Sequence, residues 1–338
     1  QSPEAIAALN ERERMFNANT FAQQYFSNTL FESNEGRNIG LSYFKERDFR
    51  EATIKKFQLG YSPDHKDAFS VHAKKNGYSP DILLKTGLSV GSDERLYDRF
   101  QGRVIFPIHN LTGKVIGFGG RILSSDKTKA KYLNSPESEV YTKSKTLYGI
   151  FFAKNAIIKA DNCLLVEGYT DVISMHQAGI ENVVASSGTS LTVDQIRLIR
   201  RYTNNITILY DGDKAGISAS LRGTDMILEE GMNVRVLLFP DGDDPDSFVR
   251  KNRSSDVENH IRNGAKDFIS FKTELLLETS GNDPIKKAGL IKEIVHTISL
   301  IPEPIYRAVY VKECSRLLDV EEQTLMNELN KLLRQKFK

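Results

Sequence analysis

Residues 163–213 read CLLVEGYTDVISMHQAGIENVVASSGTSLTVDQIRLIRRYTNNITILYDGD, and their rhythm decides the fold. Short apolar runs, CLLV, NVVA and ITILY, alternate with stretches of helical periodicity, TDVISMHQAGI and TVDQIRLIRRYT. The pattern continues through AGISASLRGTDMILEEG into a further run, NVRVLLFPDGDD. Strands alternating with helices of about a dozen residues build a parallel sheet covered by helices. In such sheets function gathers beyond the carboxyl ends of the strands. Here those ends are acidic. Glu167 closes the first run, Asp211 and Asp213 follow ITILY, and Asp241, Asp243, Asp244 and Asp246 follow the last run. Asp171 comes one helical turn after Glu167 and so faces the same way. Gathered carboxylates without cationic partners repel one another, and protons or hard cations relieve them. Oxygen-only ligands suit Mg2+ or Mn2+. Such ions orient an attacking hydroxyl, neutralise a triphosphate and stabilise a leaving oxygen. Gly168 and Gly212 are expected to let the backbone turn sharply beside the ions.

Outward from this block, the whole chain has 338 residues and a net charge of +2, room for two or three domains at roughly 100–200 residues each. With 40% hydrophobic and 27% charged residues it is globular in composition. No run approaches the roughly 18 apolar residues of a membrane span. The first twenty residues have neither a basic n-region nor an apolar core, so they are not a secretory signal. Two cysteines, Cys163 and Cys314, support neither a disulfide framework nor a Cys-based zinc site. The expected setting is the reducing cytoplasm. The six histidines form no ligand pattern, and Cys163 reads as core.

Charge is unevenly placed. Residues 101–160 hold ten Lys and Arg against three Asp and Glu, and residues 161–250 hold seven against fourteen. A basic block thus precedes the acidic one, as a polyanion-binding surface would precede a cation-holding cluster. Within the basic block GRVIFPIHN and GKVIGFGGRIL, joined by NLTG, signal a hairpin. GFGG lacks the G-x-G-x-x-G order of a dinucleotide loop. Before the hairpin, residues 3–33 read as helical, LSYFKERDF and EATIKKFQLGY as short helices closed by Gly60, and SPDILLKTG as a helix capped by Ser79 with Pro80 at its first position. Beyond residue 251 strand character disappears. Phe268, Leu277, Ile294, Ile298, Val309, Val311, Leu325 and Leu329 recur at helical spacing. The fold class is α/β, and α+β over the whole chain: a mixed, basic subdomain at 1–160, a parallel α/β sheet at 161–255 and a helical bundle at 256–338.

VEGYTDVISMHQAGI, VASSGTSLT, LYDGDKAGISAS and FPDGDDPDSFVR resemble the Toprim domain of primases and topoisomerases. RVIFPIHNLTGKVIGFGGRIL and KYLNSPES, ahead of LYG, narrow the resemblance to the catalytic core of the bacterial DnaG-type primase family. It runs from about residue 37 to 255, and the tail fits the family's third subdomain in length and character only.

The resemblance implies a DNA-directed RNA polymerase that makes short RNA primers on single-stranded DNA from ribonucleoside triphosphates, using Mg2+ or Mn2+, as a monomer within the primosome. By it, Glu167, Asp211 and Asp213 are metal-linked catalytic acids, with Asp171 beside them, and Asp244 and Asp246 complete the metal shell. For Glu167 both metal ligand and general base stay open. Asp241 and Asp243 read as solvated loop positions. Arg121, Lys131 and Lys143 line a groove for template and nucleotide, with Arg103 and Arg47 as further candidates and Tyr132 available for stacking. Lys127, Lys129 and Lys145 read as solubilising. Zinc and helicase contact are expected in flanking N- and C-terminal domains absent from this chain. The rival readings are another Toprim enzyme, a topoisomerase or nuclease, and a non-catalytic DNA-binding recombination module. Nothing here resembles the separate tyrosine-bearing domain of a topoisomerase, and a scaffold has no use for three crowded acids.

Overall fold

A computed structural model describes residues 3–240 and 242–336 and divides into two compact units. One runs through Ala153 and takes in residues 168–189. The other holds residues 154–167 and the chain from Ser190 onward.

The first unit is built on an antiparallel sheet of four strands: β1 (Gly60–Ser62), β2 (Arg103–His109), β3 (Val115–Ile122) and β4 (Tyr132–Asn134), in that order. The hairpin expected from NLTG joins β2 to β3, with Val104 opposite Arg121 and Ile105 opposite Gly120. Its turn is held by the Asn110 side chain, whose Oδ1 accepts the N–H groups of Thr112 and Lys114 at 3.1 and 2.9 Å. Every residue of β2 is buried, because both faces of the sheet are covered. On one face the long helix α1 (Pro3–Glu32) brings Phe26 edge-on to Phe118, ring centroids 5.6 Å apart. On the other, Tyr169 at the start of α2 (Tyr169–Gln177) stacks on Phe106 at 5.0 Å. Gly119 lies opposite Phe106, and a Cβ there would come within 2.4 Å of the Tyr169 ring. The GFGG glycines thus admit an aromatic ring against the strand. Ser79 caps the helix Pro80–Lys85 as read from the sequence. Gly60 does not close a helix. The helix before it ends at Lys56, Gln58 turns the chain at φ 57°, and Gly60 opens β1 opposite Ile105.

The second unit contains the parallel strands β5 (Cys163–Val166), β6 (Asn205–Tyr210) and β7 (Asn233–Leu238). Between them run α3 (Val193–Arg200) and α4 (Lys214–Glu229), and α5 (Pro245–Lys251) follows β7. Cys163 is core, as expected. The expectation that the tail has no strand fails at one place. Lys266–Asp267 form a two-residue strand, β8, antiparallel to β7, with Val236 opposite Lys266. The tail then runs as α6 (Phe268–Ser280), α7 (Pro284–Leu300), α8 (Pro304–Leu318) and α9 (Glu322–Lys336). Phe268, Ile294, Ile298, Val311, Leu325 and Leu329 form its core. Leu277 and Val309 share the helical spacing but face solvent, 40% and 60% exposed. Among the described residues no helix is long and apolar enough to cross a membrane.

Gly119→Ala should lower stability by about 1–3 kcal/mol, the usual cost of overpacking a filled core. The Tyr169 ring it displaces is held by Phe106 and by its hydroxyl bond to Asn134. Urea unfolding measures this, and an unchanged midpoint would mean that the ring is free to move aside.

Candidate functional site

In the second unit the strand ends carry the acids that the sequence singled out. Glu167 follows β5 and Asp211 follows β6, and the Asp211 backbone N–H donates to the Glu167 carboxylate. Asp213 is the N-cap of α4, its Oδ1 accepting the Gly216 N–H at 2.7 Å. Asp244 is the N-cap of α5. Its Oδ1 accepts the Ser247 N–H at 2.7 Å while the Ser247 hydroxyl accepts the Asp244 N–H at 3.0 Å, a reciprocal box. Helix N-termini attract negative charge, so the caps hold two carboxylates where repulsion would scatter them. Asp246 is buried beside Arg250, at 3.5 Å. Asp243 binds Lys251 at 2.6 Å and the Ser247 hydroxyl at 2.9 Å, which hold its pKa down and make it part of the surface. Asp241 lies outside the described residues.

Two of these acids are raised by burial and by their neighbours. Burial, then Glu167, Asp244 and Asp213, push Asp211 up to about 7. Burial raises Glu167 too, with Asp213 and Asp244 adding and the Asp211 N–H opposing. Among the described residues no three His, Cys, Asp or Glu close into a preformed metal cage. The donor chemistry nonetheless fits a hard divalent cation of the Mg2+ kind, which binds through few carboxylates and keeps several waters. Gly168 and Gly212 play parts other than the sharp turns expected of them. Gly168 is extended, at φ −123°. Gly212 is required by a close approach, because a Cβ would come within 2.3 Å of the Phe239 carbonyl oxygen.

The first unit holds the remaining candidates. The Arg121 and Arg47 guanidiniums lie over the ring of Tyr43, 4.8 and 5.1 Å from its centroid. Both also act on the phenol of Tyr132, whose ring is 37% exposed and 6.1 Å from that of Tyr169. Arg121 Nε is buried and has no acceptor, an open demand for one. Lys131 is exposed just before β4. Lys143 opens a short 3-10 turn whose first N–H donates to Glu137. Arg103 is buried, its guanidinium donating to the carbonyls of Gly120, Ala130 and Lys131 at 3.0–3.3 Å. It organises the strand that presents Lys131. Asp171 is buried, and its Oδ2 accepts the Gly168 N–H at 3.1 Å to cap α2. Sequence reasoning passed over three residues that pack against these side chains: Tyr43, and the buried Asn134 and Tyr169. Asn134 and Tyr169 lie inside the quoted motifs KYLNSPES and VEGYTD. Tyr43 has no local signal, since its partner Arg121 is far away in sequence.

Family models match three stretches of the chain. Residues 25–154 match the DNA primase catalytic core, N-terminal domain, and residues 164–249 match Toprim-like. Residues 271–323 match the DnaB-helicase binding domain of primase. That last match lies on α6–α8, within the chain, where the sequence reading had placed helicase contact in a domain beyond it. A DNA primase of Clostridium acetobutylicum is 40% identical over 93% of this chain and 51% of its own length. The chain spans about half the length of the curated relatives it matches. A DNA primase domain from Pseudomonas aeruginosa superposes with a TM-score of 0.84 at 30% identity, over 94% of this chain and 99% of that one. A DnaG primase catalytic domain bound to single-stranded DNA gives 0.82 at 31% identity, over 94% and 99%.

A carboxylate whose pKa is raised on folding, from 3.8 to about 7 for Asp211, stabilises the protein fully below the lower value and loses that contribution as pH rises through the upper one. In EDTA, therefore, Asp211→Asn should lessen the fall in Tm between about pH 4 and pH 8 that the parent shows. Parallel Tm profiles for the two proteins would remove Asp211 from the repelling cluster.

Proposed function

Because the chain belongs to the DnaG primase catalytic-core family, we propose that it is the RNA-polymerising core of a DNA primase, joining ribonucleotides into short primers on single-stranded DNA. The observation that carries this reading is the set of mutually repelling carboxylates on the ends of parallel strands. A non-catalytic module has no use for such a set, and the solved relatives are primase cores rather than topoisomerases or nucleases.

In the reaction the primer 3′-oxygen bonds to the α-phosphorus of the incoming ribonucleoside triphosphate, and pyrophosphate leaves. Glu167, Asp211, Asp213 and Asp244 would hold a divalent cation, and the buried Asp246 is paired with Arg250. Bound Mg2+ or Mn2+ supplies charge neutralisation of the triphosphate and orientation of the hydroxyl. Burial raises the Glu167 carboxylate, which makes it the stronger base for the proton of that hydroxyl. Arg121, Lys131, Lys143 and Arg47 neutralise phosphates, and the open ring of Tyr132 offers a stacking face. Arg103 and Asp171 are positioning groups, the one for the strand carrying Lys131 and the other for α2. A replicative helicase is the partner proposed for α6–α8, and the bacterial cytoplasm is the setting.

Labelled ribonucleotides, single-stranded DNA and Mg2+ or Mn2+ test the reading on a gel. Extended RNA supports it, nicked DNA points to a nuclease, and neither product points to a binding module. Asp211→Ala should abolish synthesis while the protein stays folded, and full activity at millimolar Mg2+ would sink the assignment.

The basic surface has a separate test. Arg121→Ala should weaken single-stranded DNA binding and flatten the log–log dependence on salt by about 0.7 for each phosphate that is no longer neutralised. Binding equal to the parent's at low salt, with the same slope, would reduce the Arg–Tyr cluster to a feature of the fold.

A further inference from the structure

Helix α4 starts at one of the acids. Asp213 is its N-cap, and Asp211 lies just before it. Its first turn has no slack there, since a Cβ on Gly216 would fall 2.0 Å from the Asp211 carbonyl oxygen. Twelve residues further on, about 18 Å along a helix rising 1.5 Å per residue, Asp225 meets the tail. Its Oδ1 accepts the Thr297 hydroxyl of α7 at 3.0 Å and lies 3.5 Å from Lys272 Nζ of α6, which in turn donates to Thr297 Oγ1 at 2.5 Å. Lys272 and Thr297 are buried, and Asp225 is one-third exposed.

A buried lysine is rare, and an apolar side chain of similar volume often stabilises a protein as well or better. Stability alone therefore gives no reason for Lys272. Directional bonds do something that apolar packing does not: packed helices shear past one another by small slides, whereas a closed triangle of donors and acceptors has one register. Apolar packing through Ile227 and Leu228 also holds α4, but the ion pairs just past its end, Glu230 with Arg197 and Arg200 of α3, are made by exposed arginines, and such pairs contribute little.

We infer that Lys272, Asp225 and Thr297 are a positioning device. They fix the axial setting of α4, and so the place of the Asp213 carboxylate, making cation affinity depend on the helical tail. The inference rests on Asp213 being a cation ligand. A rigid helix held in its C-terminal half transmits its setting to its first turn, where the Gly216 N–H bond to Asp213 reports on it.

The test uses the full chain, with Mn2+ binding followed by electron paramagnetic resonance and amide exchange followed at Gly216. In Lys272→Met we expect Tm to stay within a few degrees of the parent or rise. The Mn2+ dissociation constant should increase several-fold, and Gly216 exchange should quicken. Lys272→Arg should recover part of both. Parent-like Mn2+ affinity and Gly216 exchange in folded Lys272→Met overturn the inference, provided Asp213→Ala binds Mn2+ more weakly than the parent. If Asp213→Ala binds as the parent does, the cation reading falls and the inference with it. Should Lys272→Met not fold, Asp225→Asn, at the partly exposed corner of the triangle, decides by the same two measurements.

Discussion

Repulsion among the carboxylates at the ends of β5, β6 and β7 is the constraint to which the second unit is shaped. Parallel strands bring their carboxyl ends to the same edge of the sheet, so acids that are far apart in sequence are forced together. The fold offsets part of the resulting field with its own dipoles. Asp213 and Asp244 each place one oxygen on a helix N-terminus, and Glu167 takes the backbone N–H of Asp211. What these bonds leave uncompensated falls on Asp211, which burial and the neighbouring carboxylates push up to about 7. The architecture therefore maintains a local deficit of positive charge, with backbone bonds that keep the acids in place.

The first unit has the complementary arrangement. Its arginines differ in exposure, and the difference sorts them by role. Arg103 is buried among carbonyl oxygens. Arg121 and Arg47 lie over an aromatic ring, where a weakly hydrated guanidinium is held by the π-face and keeps donors available. The residue type is the same in all three cases, and burial among carbonyls separates the framework cation Arg103 from the other two.

That distinction marks where the sequence stops being informative. The alternation from Cys163 onward was readable because strand and helix periods differ and each run is long enough to show its own. The acids were readable because each follows such a run. Lys266–Asp267 was not, since two residues carry no period and β8 exists only through its pairing with Val236 and Arg235. Arg103 read as a phosphate contact because a basic residue at the start of a strand gives no sign of three carbonyls converging on it from another strand and its loop. Tyr43 gave no sign at all, as its partnership with Arg121 depends on the sheet having formed. Leu277 and Val309 kept the helical spacing of a core residue, yet the bundle closes on the neighbouring face. Periodicity identifies an apolar stripe, while its width is settled by what packs against it.

The segment from Ser124 to Lys131, between β3 and β4, is exposed at every position. Arg103 and the β3–β4 pairing fasten its end, so Tyr132 keeps its register opposite Arg121 whatever the segment's length. Closing a longer flexible loop between fixed ends adds only about 0.6 kcal/mol for each doubling. This makes the segment a natural insertion point: a fluorophore-bearing peptide or an affinity tag placed there would ride beside the basic strand without entering the core, an optical handle on the surroundings of Tyr132.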